Sequence, residues 1–110
     1  MGSAGSVVDS ADTVRGWIQH HTNVANASGR TIYVKVRSPG RTDTEQIPAG
    51  SSVSFGTDKG QVTLMVYDNS SYDNFLASKT LDSDYSMIVK SSGSGFYIVR
   101  AKYGTIWQEG

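Results

Sequence analysis

The sequence predicts an all-β protein: a single antiparallel β-sandwich of about seven to nine short strands, with a small β-barrel as the alternative. Three observations carry that prediction. Long helical patterns are nearly absent. Short runs rich in Val, Ile, Thr, Tyr and Phe are broken at roughly eight-to-twelve-residue intervals by Gly, Ser and Asn, the punctuation of strands and turns. Glycine supplies 12 of the 110 residues against 2 prolines, beside abundant Ser and Thr, which suits tight turns between pleated segments.

A chain of 110 residues has the size of one domain and buries roughly two thirds of its unfolded surface. Residues 1–6, Met-Gly-Ser-Ala-Gly-Ser, read as a flexible or tag-like leader, and residues 7–110 as one β-sandwich domain. Residues 6–15 are the one place for a short helix. Ser6 and Asp9 have capping-box spacing, Val7, Ala11, Val14 and Ile18 recur at helical intervals, and Gly16 suits a helix end. A strand starting at Val14 is the competing reading.

Residues 17–24 read as the first strand, turning through Asn26-Ala27-Ser28-Gly29. In residues 31–37, Ile32, Val34 and Val36 alternate with Tyr33, Lys35 and Arg37, the pattern of a half-buried strand. After the turn Ser38-Pro39-Gly40-Arg41, residues 44–47 suit a short edge strand. Residues 51–55 and 61–67, joined by Thr57-Asp58-Lys59-Gly60, suit a hairpin. The run 61–67 is apolar on both faces and is expected to be a central strand. Residues 75–81 and 85–90 follow as short strands about Asp82-Ser83-Asp84. Residues 96–103, again apolar on both faces, and a last strand at 105–108 complete the series. The two doubly apolar runs are expected at the middles of facing sheets or side by side in one. Trp17 and Trp107, near opposite chain ends, are expected close in space, each with its indole buried.

The opening hairpin, an Asn-bearing strand turning through Asn26-Ala27-Ser28-Gly29 into Thr31-Ile32-Tyr33-Val34-Lys35-Val36, resembles the start of small β-sandwich toxins and lectins. The likeness is hairpin chemistry and implies the fold class alone.

Composition excludes more functions than it selects. The chain has no cysteine, which removes thiol catalysis and cysteine-ligated metal centres. Ten basic and ten acidic residues cancel, without the basic excess that phosphate neutralisation demands, so no nucleic-acid partner is expected. Near-neutral charge also weakens self-repulsion and so permits self-association. No run approaches the roughly eighteen apolar residues of a membrane helix. His20 and His21 are adjacent, and neighbours in a strand point to opposite faces, so one backbone cannot bring both to one metal. No His-Glu-x-x-His, phosphate-binding glycine loop or nucleophile elbow occurs, and the chain is read as no enzyme, with no catalytic residues and no metal ligands assigned.

The candidate site is the polar loop that follows residues 61–67. Sugar recognition needs planar donors and acceptors for vicinal hydroxyls and an aromatic face for the C–H side of the ring. Asp68, Asn69, Asp73 and Asn74 provide the first and Tyr72 the second. The plainer reading is a solvated loop whose Asx residues fold turns. No cofactor is expected. Calcium is a minor alternative, because Asp68, Asp73, Asp82 and Asp84 supply oxygen ligands without EF-hand spacing. Lys35 and Arg37 beside Tyr33 suit an anionic lipid, glycan or nucleic acid, and Tyr67, Tyr72, Phe75, Phe96 and Trp107 are candidate exposed aromatics. Asn-x-Ser sequons at Asn26 and Asn69 tilt the location toward the secreted or cell-surface side.

The function expected from these features is a lectin-like, haemagglutinin-type module that binds glycans or glycoproteins through loop residues and works as a homo-oligomer. Multivalency raises the avidity of a shallow site by about 10²–10⁴. The runner-up is a membrane-binding or pore-forming β-sandwich whose partner is a membrane surface, and the third reading is a structural, self-assembling protein.

Overall fold

The computed structural model describes residues 21–110. The expected leader, the helix over 6–15 and Trp17 lie outside the described residues. Nine strands form among them: β1 (His21–Asn26), β2 (Ile32–Ser38), β3 (Arg41–Ile47), β4 (Ser52–Gly56), β5 (Gln61–Tyr67), β6 (Phe75–Asp82), β7 (Met87–Ser92), β8 (Gly95–Lys102) and β9 (Thr105–Glu109). They build two facing sheets, a β-sandwich as expected. One has the order β4-β1-β7-β8-β9 and the other β3-β2-β5-β6. The strands β5 and β8 are interior to different sheets, which resolves the placement of the two doubly apolar runs.

One pairing departs from an all-antiparallel sandwich. Strands β1 and β7 are parallel, with Val24 opposite Met87 and Asn26 opposite Val89. A hairpin turn forces neighbours in sequence to run antiparallel, whereas β7 returns to β1 only after the chain has crossed the other sheet, and such a crossover leaves the direction free.

The core lies where the two inner faces meet. Val24, Val53, Met87 and Val89 point in from one sheet and Val34, Val36, Leu64 and Val66 from the other. Alternation decides this: β2 and β5 each bury every second residue. A second cluster, Ala25, Ile88, Ala101 and Ile106, sits on the opposite face of the five-stranded sheet. It forms because the β8–β9 hairpin curls back until β9 contacts β1 and β7. Trp107, next to Ile106 and therefore pointing the other way, is 39% exposed, so its indole is not buried as expected.

The turn 57–60 does not close a hairpin. Strand β4 pairs with β1, and β5 pairs with β2 and β6. A connection this short also spans the roughly 10 Å between stacked sheets. Crossing brings Val53 and Phe55 into the same core as Val62 and Leu64 from the opposite sheet. Strand β3 in turn begins three residues earlier than its apolar content suggests, because the turn at Pro39-Gly40 lets it pair with β2 along its whole length, Ser38 with Arg41 through Ile32 with Ile47.

Asn26 ties one end of the sandwich together. Its side chain is fully buried and its Nδ2 donates to the carbonyls of Arg30 (2.6 Å) and Ile47 (2.8 Å). Its Oδ1 accepts from the Ser28 amide (3.0 Å) and the Ser28 hydroxyl (2.6 Å). The Asn26 sequon therefore has a structural role: its nitrogen is inaccessible in the folded protein. Thr22 is the opposite case. It is fully buried on the inner face of β1, and its hydroxyl has no partner. Thr22→Val keeps the shape and removes the orphaned hydroxyl, and is expected to raise stability by about 1 kcal/mol. A melting temperature unchanged or lowered in calorimetry would show that the hydroxyl is solvated.

Both edges of the four-stranded sheet carry charge on the inward side. On β6, Lys79 lies opposite Leu64 and shares its face. On β3, Asp43 and Glu45 lie opposite Val36 and Val34. Inward-pointing charges at an edge oppose pairing with another strand. Arg41 holds Asp43 through two hydrogen bonds, Nε to Oδ2 at 2.9 Å and Nη2 to Oδ1 at 3.1 Å, which raise the guanidinium pKa above its ordinary value.

Candidate functional site

The outer face of the four-stranded sheet and the loop 68–74 come together at one end of the sandwich. Strand alternation aims Tyr33 and Lys35 of β2 and Met65 and Tyr67 of β5 outward, away from the buried Val34, Val36, Leu64 and Val66. The register places Tyr33 opposite Tyr67 and Lys35 opposite Met65. On the other side of β5 the ladder slips by one residue between Val66 and Tyr67, so Tyr67 faces Phe75 while Leu76 turns to the core. Such bulges re-aim side chains. Here the result is a row of aromatics, Tyr33, Tyr67 and Phe75, across three strands.

The loop adds the fourth ring. Tyr72 is the one described residue other than glycine with a positive φ, at 55°. This left-handed conformation is strained for a bulky side chain and persists only where surrounding bonds enforce it. The enforcing bonds come from the Asx residues. Asp68 accepts from Asn69 Nδ2 (3.0 Å) and Asn74 Nδ2 (2.6 Å), and Asp73 Oδ1 accepts from Asn69 Nδ2 (2.8 Å). Asn69 Oδ1 accepts from the Ser71 amide (3.0 Å), and the Asn69 carbonyl from the Tyr72 amide (3.2 Å). The Asp68 amide closes the loop on the Asn74 carbonyl (3.3 Å).

The strained turn lays the Tyr72 ring back over the sheet. It stacks on Tyr67 at 5.3 Å between centroids and tilts against Tyr33 at 6.5 Å, while Phe75 meets Tyr67 edge-on at 5.8 Å. Lys35 Nζ sits 5.5 Å from the Tyr67 centroid and 5.1 Å from that of Tyr72, within cation–π range of both. Phe75 is 56% exposed. The Tyr67 hydroxyl donates to Met65 Sδ at 3.9 Å.

The five loop residues singled out in the sequence thus divide in role. Asp68 and Asn69 form the frame of the loop. Asp73 joins that frame through one carboxylate oxygen, and Asn74 through its side-chain nitrogen and its carbonyl; both remain exposed, leaving Asp73 Oδ2 and Asn74 Oδ1 outside the network. Tyr72 alone contributes a surface. Lys35, Tyr33, Tyr67 and Phe75 complete that surface and come from strands. Each was visible as an outward or aromatic residue, but their juxtaposition depends on the β2–β5 register and the β6 bulge. The other carboxylates weighed for calcium lie elsewhere: Asp82 accepts from Gln61 Nε2 at the far end of β5 and β6. Among the described residues, no group of three or more His, Asp or Glu side chains converges as a metal site.

Compared with protein-family models, with curated proteins and with solved structures, the chain gives no match in any of the three.

Proposed function

We propose that this chain is a non-catalytic β-sandwich module that binds carbohydrate on the tyrosine surface beside the β5–β6 loop and acts as a homo-oligomer. The observation that carries the reading is Tyr72. A strained backbone held by six Asx-centred side-chain and backbone bonds serves to stack one ring on another, next to an exposed Phe75. The array offers what a saccharide needs: apolar ring faces for its C–H side, three phenolic hydroxyls, and the free oxygens of Asp73 and Asn74 at the rim. Aromatic side chains supply contact area at low entropic cost.

The runner-up, insertion into a lipid interface, needs large aromatics gathered on one side. Only Phe75 of the four most exposed aromatics among the described residues belongs to the tyrosine surface, and the others are dispersed. Phe75 lies beside the β5–β6 loop, Tyr103 lies in the β8–β9 turn at the other end, and Tyr97 and Trp107 belong to the other sheet. The charged edges of the four-stranded sheet weigh against assembly by edge pairing, so self-association would use a sheet face or an edge of the five-stranded sheet.

Tyr72→Gly tests the reading. Glycine accepts the left-handed φ, so the released strain offsets the lost ring stacking and the melting temperature is expected to stay within a few degrees. Carbohydrate affinity, first located on a glycan array and then measured by calorimetry, is expected to fall on the order of tenfold or more. Binding that survives the loss of this ring places the site elsewhere. No glycan binding together with dye release from liposomes favours the membrane reading.

A further inference from the structure

We infer that the tyrosine surface selects acidic saccharides, sugars bearing a carboxylate or sulfate, with Lys35 as the group that recognises the charge; the inference rests on the carbohydrate reading of this site. Three observations support it. First, the ammonium of Lys35 is held over both Tyr67 and Tyr72. A lysine immobilised in this way has already lost much of its side-chain freedom, so an anionic group meeting it incurs little further ordering cost. Second, no carboxylate among the described residues forms an ion pair with Lys35 or with Arg37, which follows it on the same face of β2. The outward positions around them are uncharged: Thr44 and Gln46 on β3, Thr63 and Met65 on β5, Ser78 and Thr80 on β6.

Third, the acidic groups near this face stand at its rims and are bonded to amides. Asp68 is held by Asn69 and Asn74, Asp73 by Asn69, and Asp82, at the far end, by Gln61. Asp43 and Glu45 point to the inner side of β3. The centre of the face is therefore cationic in a protein whose formal charge is zero. A pyranose stacked on Tyr72 or Tyr67 projects its ring substituents past the ring edge, toward an ammonium 5.1 and 5.5 Å from the two centroids. A carboxylate or sulfate there gains a charge-assisted hydrogen bond, while a neutral hydroxyl gains an ordinary one.

The test is calorimetry of the full chain against three tetrasaccharides: hyaluronan (carboxylate only), chondroitin sulfate (carboxylate and sulfate), and carboxyl-reduced, unsulfated chondroitin (neutral). The acidic ligands are expected to bind about tenfold tighter than the neutral one, and the advantage to shrink at high salt. Equal affinity for the two acidic ligands assigns the preference to the carboxylate, and a further gain with chondroitin sulfate assigns it to sulfate. Lys35→Gln is expected to bring the acidic-to-neutral ratio toward one, and Lys35→Arg to preserve it, with melting curves confirming that both are folded. Arg37→Gln is expected to reduce the ratio by a smaller factor. If the neutral ligand binds as tightly as the acidic ones, or if Lys35→Gln keeps the preference, charge selection is overturned while the carbohydrate reading stands. If no saccharide binds, neutral or acidic, here or on an array, both are overturned together.

Discussion

Replacing Asn26 with Ala is expected to lower the stability of the folded protein by about 3–4 kcal/mol. The side chain is fully buried and uses its whole hydrogen-bonding capacity, two donors and two acceptor positions. Its partners belong to two segments: Ser28 and Arg30 in the β1–β2 turn, and Ile47 at the end of β3. The Asn26 backbone adds a third, through bonds with Ser51 and Gly50 at 2.9 Å each. Truncation strands the buried Ile47 carbonyl and Ser28 amide, and each such orphan costs about 1–3 kcal/mol. Arg30 is partly exposed and recovers a water partner, which is why the total stays below four full penalties. Ser28→Ala, which leaves the Asn26 donors in place, is the control and is expected to cost about 1 kcal/mol. Thermal melts or urea titrations of the two variants read the difference directly. An Asn26→Ala protein that melts within two or three degrees of the parent would mean that the turn reorganises around water.

Asn26 also shows how the sequence hides its structural groups. As Asn26-Ala27-Ser28 it satisfies a glycosylation sequon, and only the burial of β1 between β4 and β7 reveals the amide as a cross-link. The elements that were legible share one property: their signal is local. The alternation in β2 named its buried face residue by residue, because period-two patterning is written along a single strand. Most of β3 carried no such signal. Arg41-Thr42-Asp43-Thr44 is polar throughout, and the strand exists because the Pro39-Gly40 turn and the ladder with β2 impose it. What the sequence could not convey is long-range pairing. The β4–β5 connection has the chemistry of a hairpin turn, yet the partner choice is made by the core, in which both strands bury valines from opposite sides. The candidate site followed the same rule. Its loop was marked by Asx composition, and Tyr33, Lys35, Tyr67 and Phe75 were each visible as outward or aromatic. The register Tyr33 to Tyr67 and the one-residue slip opposite Val66 and Tyr67 assemble them, and neither has a signature in the local sequence. The Asx residues looked like ligand donors because the same side chains serve turns and sugars alike; in the fold most of their groups are turned to one another.

The second large effect concerns β9. Ile106→Ala is expected to cost about 2–4 kcal/mol, in the range for truncating a fully buried isoleucine. Its neighbours Ala25, Ile88 and Ala101 form a small cluster apart from the main core, on the other face of the five-stranded sheet. The rest of what holds β9 is slight. Its ladder with β8 is irregular, with Ala101 opposite Glu109 and Lys102 opposite Thr105, and a further backbone bond joins the Gly110 amide to the Arg100 carbonyl at 2.9 Å. The ion pair of Lys90 with Glu109, at 3.9 Å and solvent-exposed, contributes little. A strand anchored by one apolar side chain opens as a unit when that side chain is cut back. Hydrogen exchange on Ile106→Ala is therefore expected to lose protection first in β9 and in the β8 residues opposite it, while β2 and β5 keep theirs. The tyrosine surface rides on β2, β5 and β6, with no pairing to β9, so its ring contacts are expected to survive in the variant, visible as unchanged aromatic shifts of Tyr67 and Tyr72. Uniform loss of protection across both sheets would instead make the Ile106 cluster part of one cooperative core, and would tie the integrity of the candidate site to a strand on the far face of the molecule.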